Sequence, residues 1–408
     1  MHALGLTILL AAGVVPNAQV GVRLAGEARA PDAFATAPGG PGGELTVTPS
    51  IDTWLQGDRF RLRLGYSLEM GWQTEALQPT PDLLHEGRLT YTTRLSPRLE
   101  LSASAWGRAG TETWLLSLTQ SPTTVDLLPQ VGRIQVAAAT GSAGLRYRTS
   151  PTQTISLTLG YDASGGLDTP SRAVLPLYYG PTGRLAIRQR IGPLDEVGGN
   201  VTASHTELSI GSAYDLLGLA GVWRHDLGPR TRIVPLVGVV VARDARVLDV
   251  LPPANLYPQA NVDIEHRFVF SDSELAVVGR VWLGPAVNRI DGTLESRAGL
   301  SASVAWRLGR RFTAGLGTDE IWVLARNPLV DGGLQSVAAR AAWTLATGMR
   351  IETGLRFYSQ QLPTRSQLPV LLQDGWAVTV GFVATIGTEP TPPRDRERDD
   401  RRRLGSEQ

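Results

Sequence analysis

The 408 residues would suffice for two or three soluble domains, yet no linker divides them, and barrels of one domain run to this length. A formal net charge of +1 points to no particular partner, and no nucleic-acid partner is expected. The lack of cysteine excludes disulfides, thiolate metal sites and a lipid anchor on an N-terminal Cys.

The chain begins MHALGLTILLAAGVVPNAQ, with an apolar core from Leu4 to Val15. That core is too short to cross a membrane as a helix and suits the h-region of a signal peptide. Cleavage is expected after Ala18, so that 1–18 is a signal peptide and the protein is exported. No Arg or Lys precedes the core, and Pro16 stands close to the cut, both departures from the usual form.

Residues 59–72, RFRLRLGYSLEMGW, alternate strictly. Phe60, Leu62, Leu64, Tyr66, Leu68, Met70 and Trp72 take one face, and Arg59, Arg61, Arg63, Gly65, Ser67, Glu69 and Gly71 take the other. A period of two is that of a β-strand. Fourteen residues at about 3.3 Å each, tilted near 45°, cover about 30 Å along the normal, the thickness of a bilayer's hydrocarbon core. Phe60, Tyr66 and Trp72 are expected in interfacial girdles, as are Trp376 and Phe382.

The pattern recurs at Leu89–Leu95, Ile155–Ala163, Ala298–Leu308, Val337–Leu345 and, last, in GWAVTVGFVATIG at 375–387. No stretch after the leader has a sustained helical period or 18 consecutive apolar residues. Any crossing must therefore be made by strands. Short turns separate the runs: Gln56-Gly57-Asp58, Ser96-Pro97-Arg98, Ser150-Pro151-Thr152, Gly192-Pro193-Leu194, Gly228-Pro229-Arg230, Ser271-Asp272-Ser273, Gly309-Arg310 and Thr347-Gly348. Between them lie longer Pro- and Gly-rich loops near 31–43, 73–84, 109–132, 164–182, 244–260, 285–294, 319–335 and 360–374. Short turns at one rim and long loops at the other are the asymmetry of outer-membrane barrels. With a first strand near 19–28 and a last at 375–387, sixteen and eighteen strands both fit, and fourteen is the lower bound. Segment 196–212 alternates poorly. After Gly387, TEPTPPRDRERDDRRRLGSEQ cannot bury a core, so 388–408 is expected to be a disordered charged tail in the periplasm.

The expected fold is thus all-β, one closed antiparallel transmembrane barrel over 19–387. By pattern, residues 20–387 resemble the outer-membrane β-barrels of Gram-negative bacteria, the larger porin-like ones in particular. The closing strand also resembles their assembly signal, with Thr379, Gly381, Ala384 and Ile386 in its positions. The resemblance implies the outer membrane, contact with its lipids and insertion by the barrel-assembly machinery. Unlike the family's usual chains, this one continues past the closing strand.

If the apolar faces meet lipid, the alternate positions line the lumen. Arginine dominates there: Arg59, Arg61, Arg63, Arg88, Arg94, Arg146, Arg148, Arg188, Arg190, Arg280, Arg297, Arg307, Arg340, Arg350 and Arg356. The acids in comparable phase are Glu69, Glu100, Asp162, Glu274 and Glu352. Guanidinium groups stay charged and would concentrate anions in a pore. Two readings remain open, an anion path and a scaffold in which the arginines pair with lumenal acids. Every basic residue is arginine, a bias that a GC-rich genome also produces.

Catalysis has little support. Ser204-His205 and His225-Asp226 are sequence neighbours, which a strand sends to opposite faces. The other histidines, His2, His85 and His266, stand in no metal spacing, and the Gly-rich 38–43 carries no Lys and opens no helix. No enzyme, metal or cofactor is expected. The leading expectation is a channel for hydrophilic, anionic solutes or polymer through an arginine-rich lumen. The alternatives are the exit barrel of an exopolysaccharide secretion system, with a periplasmic export partner, and a blocked barrel for structure or surface attachment.

Overall fold

The computed structural model describes residues 15–31, 42–73, 81–113, 133–245, 255–289, 292–324, 330–361 and 374–387. Of the expected leader core, Leu4 to Val15, all but Val15 lies outside them, as does the expected tail, 388–408.

Eighteen strands form one sheet: β1 (Val15–Pro31), β2 (Gly42–Gln56), β3 (Phe60–Gln73), β4 (Asp82–Ser96), β5 (Leu99–Thr113), β6 (Arg133–Arg148), β7 (Gln153–Gly166), β8 (Tyr178–Arg190) and β9 (Asp195–Leu208). These are followed by β10 (Ala213–Gly228), β11 (Thr231–Asp244), β12 (Asn255–Val269), β13 (Ser273–Val287), β14 (Leu294–Leu308), β15 (Phe312–Leu324), β16 (Val330–Ala346), β17 (Met349–Gln361) and β18 (Asp374–Gly387). Each pairs antiparallel with the next, and β1 pairs with β18, which closes the ring. Closure leaves no unpaired edge, the condition for strands to cross a membrane. Sixteen or eighteen strands both fitted the sequence; the fold has eighteen.

Four boundaries depart from the sequence reading. The first strand begins at Val15, so cleavage after Ala18 would remove residues that pair with Thr53–Gln56. The loop expected over 319–335 is mostly strand, because β15 runs to Leu324 and β16 starts at Val330. A tight hairpin, Ser209–Ser212, joins β9 to β10 at the rim where the long loops were expected. The β7–β8 loop holds a single-turn helix, α1 (Thr169–Val174).

Residues opposite each other in the ladders share a face. Followed round the ring, one set holds nearly all the exposed apolar side chains, among them Val20, Leu64, Leu159, Leu219, Val239, Leu316 and Val380. This set forms the outer wall. The other set is the one that inward-folded segments touch: a Cβ on Gly166 would strike the backbone of Ser171 in α1, and Tyr214 Oη donates to Gly292 O at 2.8 Å. An apolar outer wall on a closed ring of strands 13–17 residues long makes this an outer-membrane barrel. Eighteen strands are wide enough to leave an aqueous lumen rather than a packed core.

Candidate functional site

The inner wall is the site, and its two sides differ in charge. On β3–β8 the inward set holds Arg61, Arg63, Arg88, Arg94, Arg108, Arg146, Arg148, Arg184, Arg188 and Arg190. Among the described residues the acids of that set are, by register, Glu69, Asp82, Glu86, Glu100, Glu112 and Asp162, six against ten arginines, and Asp52 of the adjoining β2 makes a seventh. On β9–β17 it holds Arg224, Arg232, Arg267, Arg280, Arg297, Arg307, Arg340, Arg350 and Arg356. There the acids are equal in number: Glu196, Asp226, Asp244, Asp263, Glu265, Glu274, Glu295, Asp319 and Glu352. The sequence reading had only Glu274 and Glu352 on this side. It missed the others because their phase becomes definite only with the register.

On the balanced wall the charges interlock. Asp226 accepts from Arg224 (3.0 Å) and Arg232 (3.0 Å), and Arg232 also reaches Glu265, which binds Arg267 at 2.6 Å. Arg280 pairs with Asp263, Arg307 with Glu274, and Arg350 with Glu352. Arg297, only 3% exposed, pairs with Glu295 at 3.1 Å. On the arginine-rich wall Asp52 of β2 carries two partners: Arg88 donates to both its oxygens (2.9 and 2.8 Å), and Arg63 Nε to one (3.3 Å). Arg88 reaches Asp52 by lying across Gly65, where an added Cβ would sit 2.4 Å from its Nε. Arg188 crosses Gly198 in the same way toward Glu196 and Asn200. Side chains laid flat over glycine stay close to the wall.

Of the remaining residues singled out from the sequence, Arg59 stands in the β2–β3 turn rather than in a strand. Phe60, Tyr66, Trp72, Trp376 and Phe382 fall in the outer set. Tyr66 lies midway along β3 rather than at an end, with its hydroxyl 2.8 Å from His85 Nδ1. The ladders also put His85, His205, His225 and His266 in the outer set. His205 lies between Asp215 (2.7 Å) and Glu207 (3.0 Å), and Tyr179 bonds Glu207. At the short-turn rim, Asp195 takes His225 (2.8 Å) and Trp223 Nε1 (2.9 Å). Polar tips beside aromatic rings suit the headgroup level. Among the described residues no His, Asp and Glu cluster has the form of a metal site.

Two inward segments narrow the long-loop mouth. Asp168 caps α1, accepting from Ser171 N at 2.8 Å, and hydrogen bonds from the Ser171 side chain and then its backbone hold the Asp168 carboxyl below the ordinary range. Leu175 then packs on Ile134 and Val136, with Leu84 alongside. From the β13–β14 loop, Arg289 donates to Ser164 O (2.6 Å) and lies 5.4 Å over the Tyr178 ring, bridging strands six apart in the ring.

The model of the EpsX exopolysaccharide export family matches residues 109–386, more than half of the chain. The chain belongs to that family. Among curated proteins none matches. Solved structures that resemble it include OpdL of Pseudomonas aeruginosa, at 11% identity and a TM-score of 0.49, covering 92% of this chain and 99% of that one. OccK9 (OpdG) of the same organism has 11% identity and a TM-score of 0.48, covering 91% and 98%. A BenF-like porin from Pseudomonas fluorescens Pf-5 has 10% identity and a TM-score of 0.48, covering 91% and 99%.

Proposed function

We propose that this barrel is the outer-membrane exit of an exopolysaccharide secretion system, and that anionic polymer passes along its arginine-rich wall. The observation that carries the reading is the excess of guanidinium over carboxylate on β3–β8, beside a wall where the two are equal. Arg61, Arg94, Arg146, Arg148, Arg188 and Arg190 all stand within a few residues of the short turns, so the excess sits at the periplasmic mouth. A fixed positive arc there raises the local concentration of an incoming polyanion. Uncharged glycine and serine between the arginines offer no competing grip.

The inward fold of α1 and Arg289 favours a second reading, a barrel held shut at its outer mouth. Reconstitution in planar bilayers separates the two. The exit reading expects conductance and a reversal potential that favours anions in a salt gradient, most clearly at low salt. A barrel that never conducts would favour the blocked form. One that conducts without anion preference would remove the support for a polyanion route.

A further inference from the structure

The arginine-rich wall and the adjoining β2 carry two inward tryptophans. Trp54 of β2 lies opposite Arg63, and Trp106 of β5 lies opposite Arg88. The Arg63 guanidinium sits 5.3 Å over the Trp54 ring, which orients both groups. Asp52, with a side chain 13% exposed, lies beneath the pair and holds Arg63 and Arg88, whose side chains are 42% and 45% exposed. Two guanidinium groups are therefore fixed and half open to the lumen, with the Trp54 indole against Arg63 and Trp106 on the strand next to the one that carries Arg88.

A filter for simple anions needs charge alone. Half-buried indole faces beside it are unused by chloride or phosphate, but they suit a ligand with an apolar face as well as a negative group. A pyranose ring presents such a face of C–H groups, which the electron-rich face of an indole attracts. A uronate carboxylate on the same ring matches the planar fork of arginine. We infer that Trp54, Arg63, Arg88 and Trp106 form a binding site for a chain of acidic pyranose units. The site rests on the export reading and names its substrate class. Three strand spacings of about 4.8 Å put the two indoles about 14 Å apart across the sheet, so they meet different units of one chain. Asp52 sets the strength of the grip. It neutralises one of the two positive charges, which leaves a site that can release a moving chain.

The test uses the full-length barrel in planar bilayers, with current occlusion by oligogalacturonate, maltohexaose and tripolyphosphate. Oligogalacturonate should dwell longest, having both the carboxylate and the apolar face. Trp54→Leu with Trp106→Leu should shorten its dwell about tenfold, the scale of losing aromatic stacking, and Phe at both positions should restore most of it. Maltohexaose should lose dwell in the same variant, while tripolyphosphate should respond only to Arg63→Gln and Arg88→Gln. Heat-modifiable migration identifies the variants that are folded. Oligogalacturonate dwell that survives loss of both indoles would overturn the site. Equal shortening of tripolyphosphate by the tryptophan changes would overturn it too. An anion-selective wild type that oligogalacturonate never occludes keeps the anion route and loses the site. A wild type without anion preference, still occluded through the two indoles, loses the route and keeps the site.

Discussion

The wall from β3 to β8 and the wall from β9 to β17 have the same strand geometry and nearly the same number of arginines. They differ in what stands beside those arginines. On the second wall, chains such as Arg224–Asp226–Arg232–Glu265–Arg267 cross three strands and set two carboxylates against three guanidinium groups, and over the whole wall the two kinds are equal in number. On the first, two guanidinium groups share Asp52 of the adjoining β2, and Arg94 and Arg146 share Glu100 as their ladder neighbour. Arginine content therefore does not measure the field in a pore; the acids across the ladder decide it.

The contrast presupposes that inside and outside are assigned correctly, and the largest effect tests that. Leu64→Arg, on the outer wall, should destabilise the barrel by about 2–4 kcal/mol in a lipid-refolding titration, while Ser67→Arg on the inner face should cost far less. Equal costs would dissolve the comparison. Next comes Asp52→Asn, which takes the shared acceptor from two guanidinium groups. A loss of about 1–3 kcal/mol is expected in the same titration, together with a stronger anion preference. A weaker preference would mean that Arg63 and Arg88 swing away from the lumen once released.

Charge removal then separates the walls directly. Arg94, Arg146 and Arg148 all replaced by Gln should move the reversal potential toward zero. The same change at Arg224, Arg232 and Arg267 should leave Asp226 and Glu265 unopposed and draw cations. If both triple variants shift the potential alike, the walls are electrostatically equivalent. The smallest effect is expected of Gly65→Ala. The added methyl would push on Arg88 Nε, loosening its bond to Asp52 without unfolding the strand. Conductance noise should rise while the stability midpoint moves little.

Much of this was legible in the chain. RFRLRLGYSLEMGW carries its own phase, because every outward position is apolar and every inward one is polar or glycine. DEVGGNVTASHTEL, the β9 strand, does not. Its outward set ends in His205 and Glu207, polar groups held by Asp215 and Tyr179 from the neighbouring strands, so the alternation fades where those partners take over. The hairpin after it was missed for the same reason. Asp52 shows a deeper limit. Alternation places it on the inner face of its own strand, but only the register brings Arg63 and Arg88 to it from one and two strands away. Trp54 and Trp106 were hidden likewise, since an inward tryptophan breaks the apolar-outside rule by which the strands were read.

The seam between β1 and β18 governs how such a molecule can be made. It runs from Gln19 beside Gly387 to Pro31 beside Gly375, so the first strand finds its second neighbour only after the last strand has been synthesised. Until then both edges of the growing sheet are open, and the lipid-seeking side chains have no lipid. Closing the ring therefore needs both ends of the polypeptide together, and until they meet the open edges must be kept from pairing with other chains.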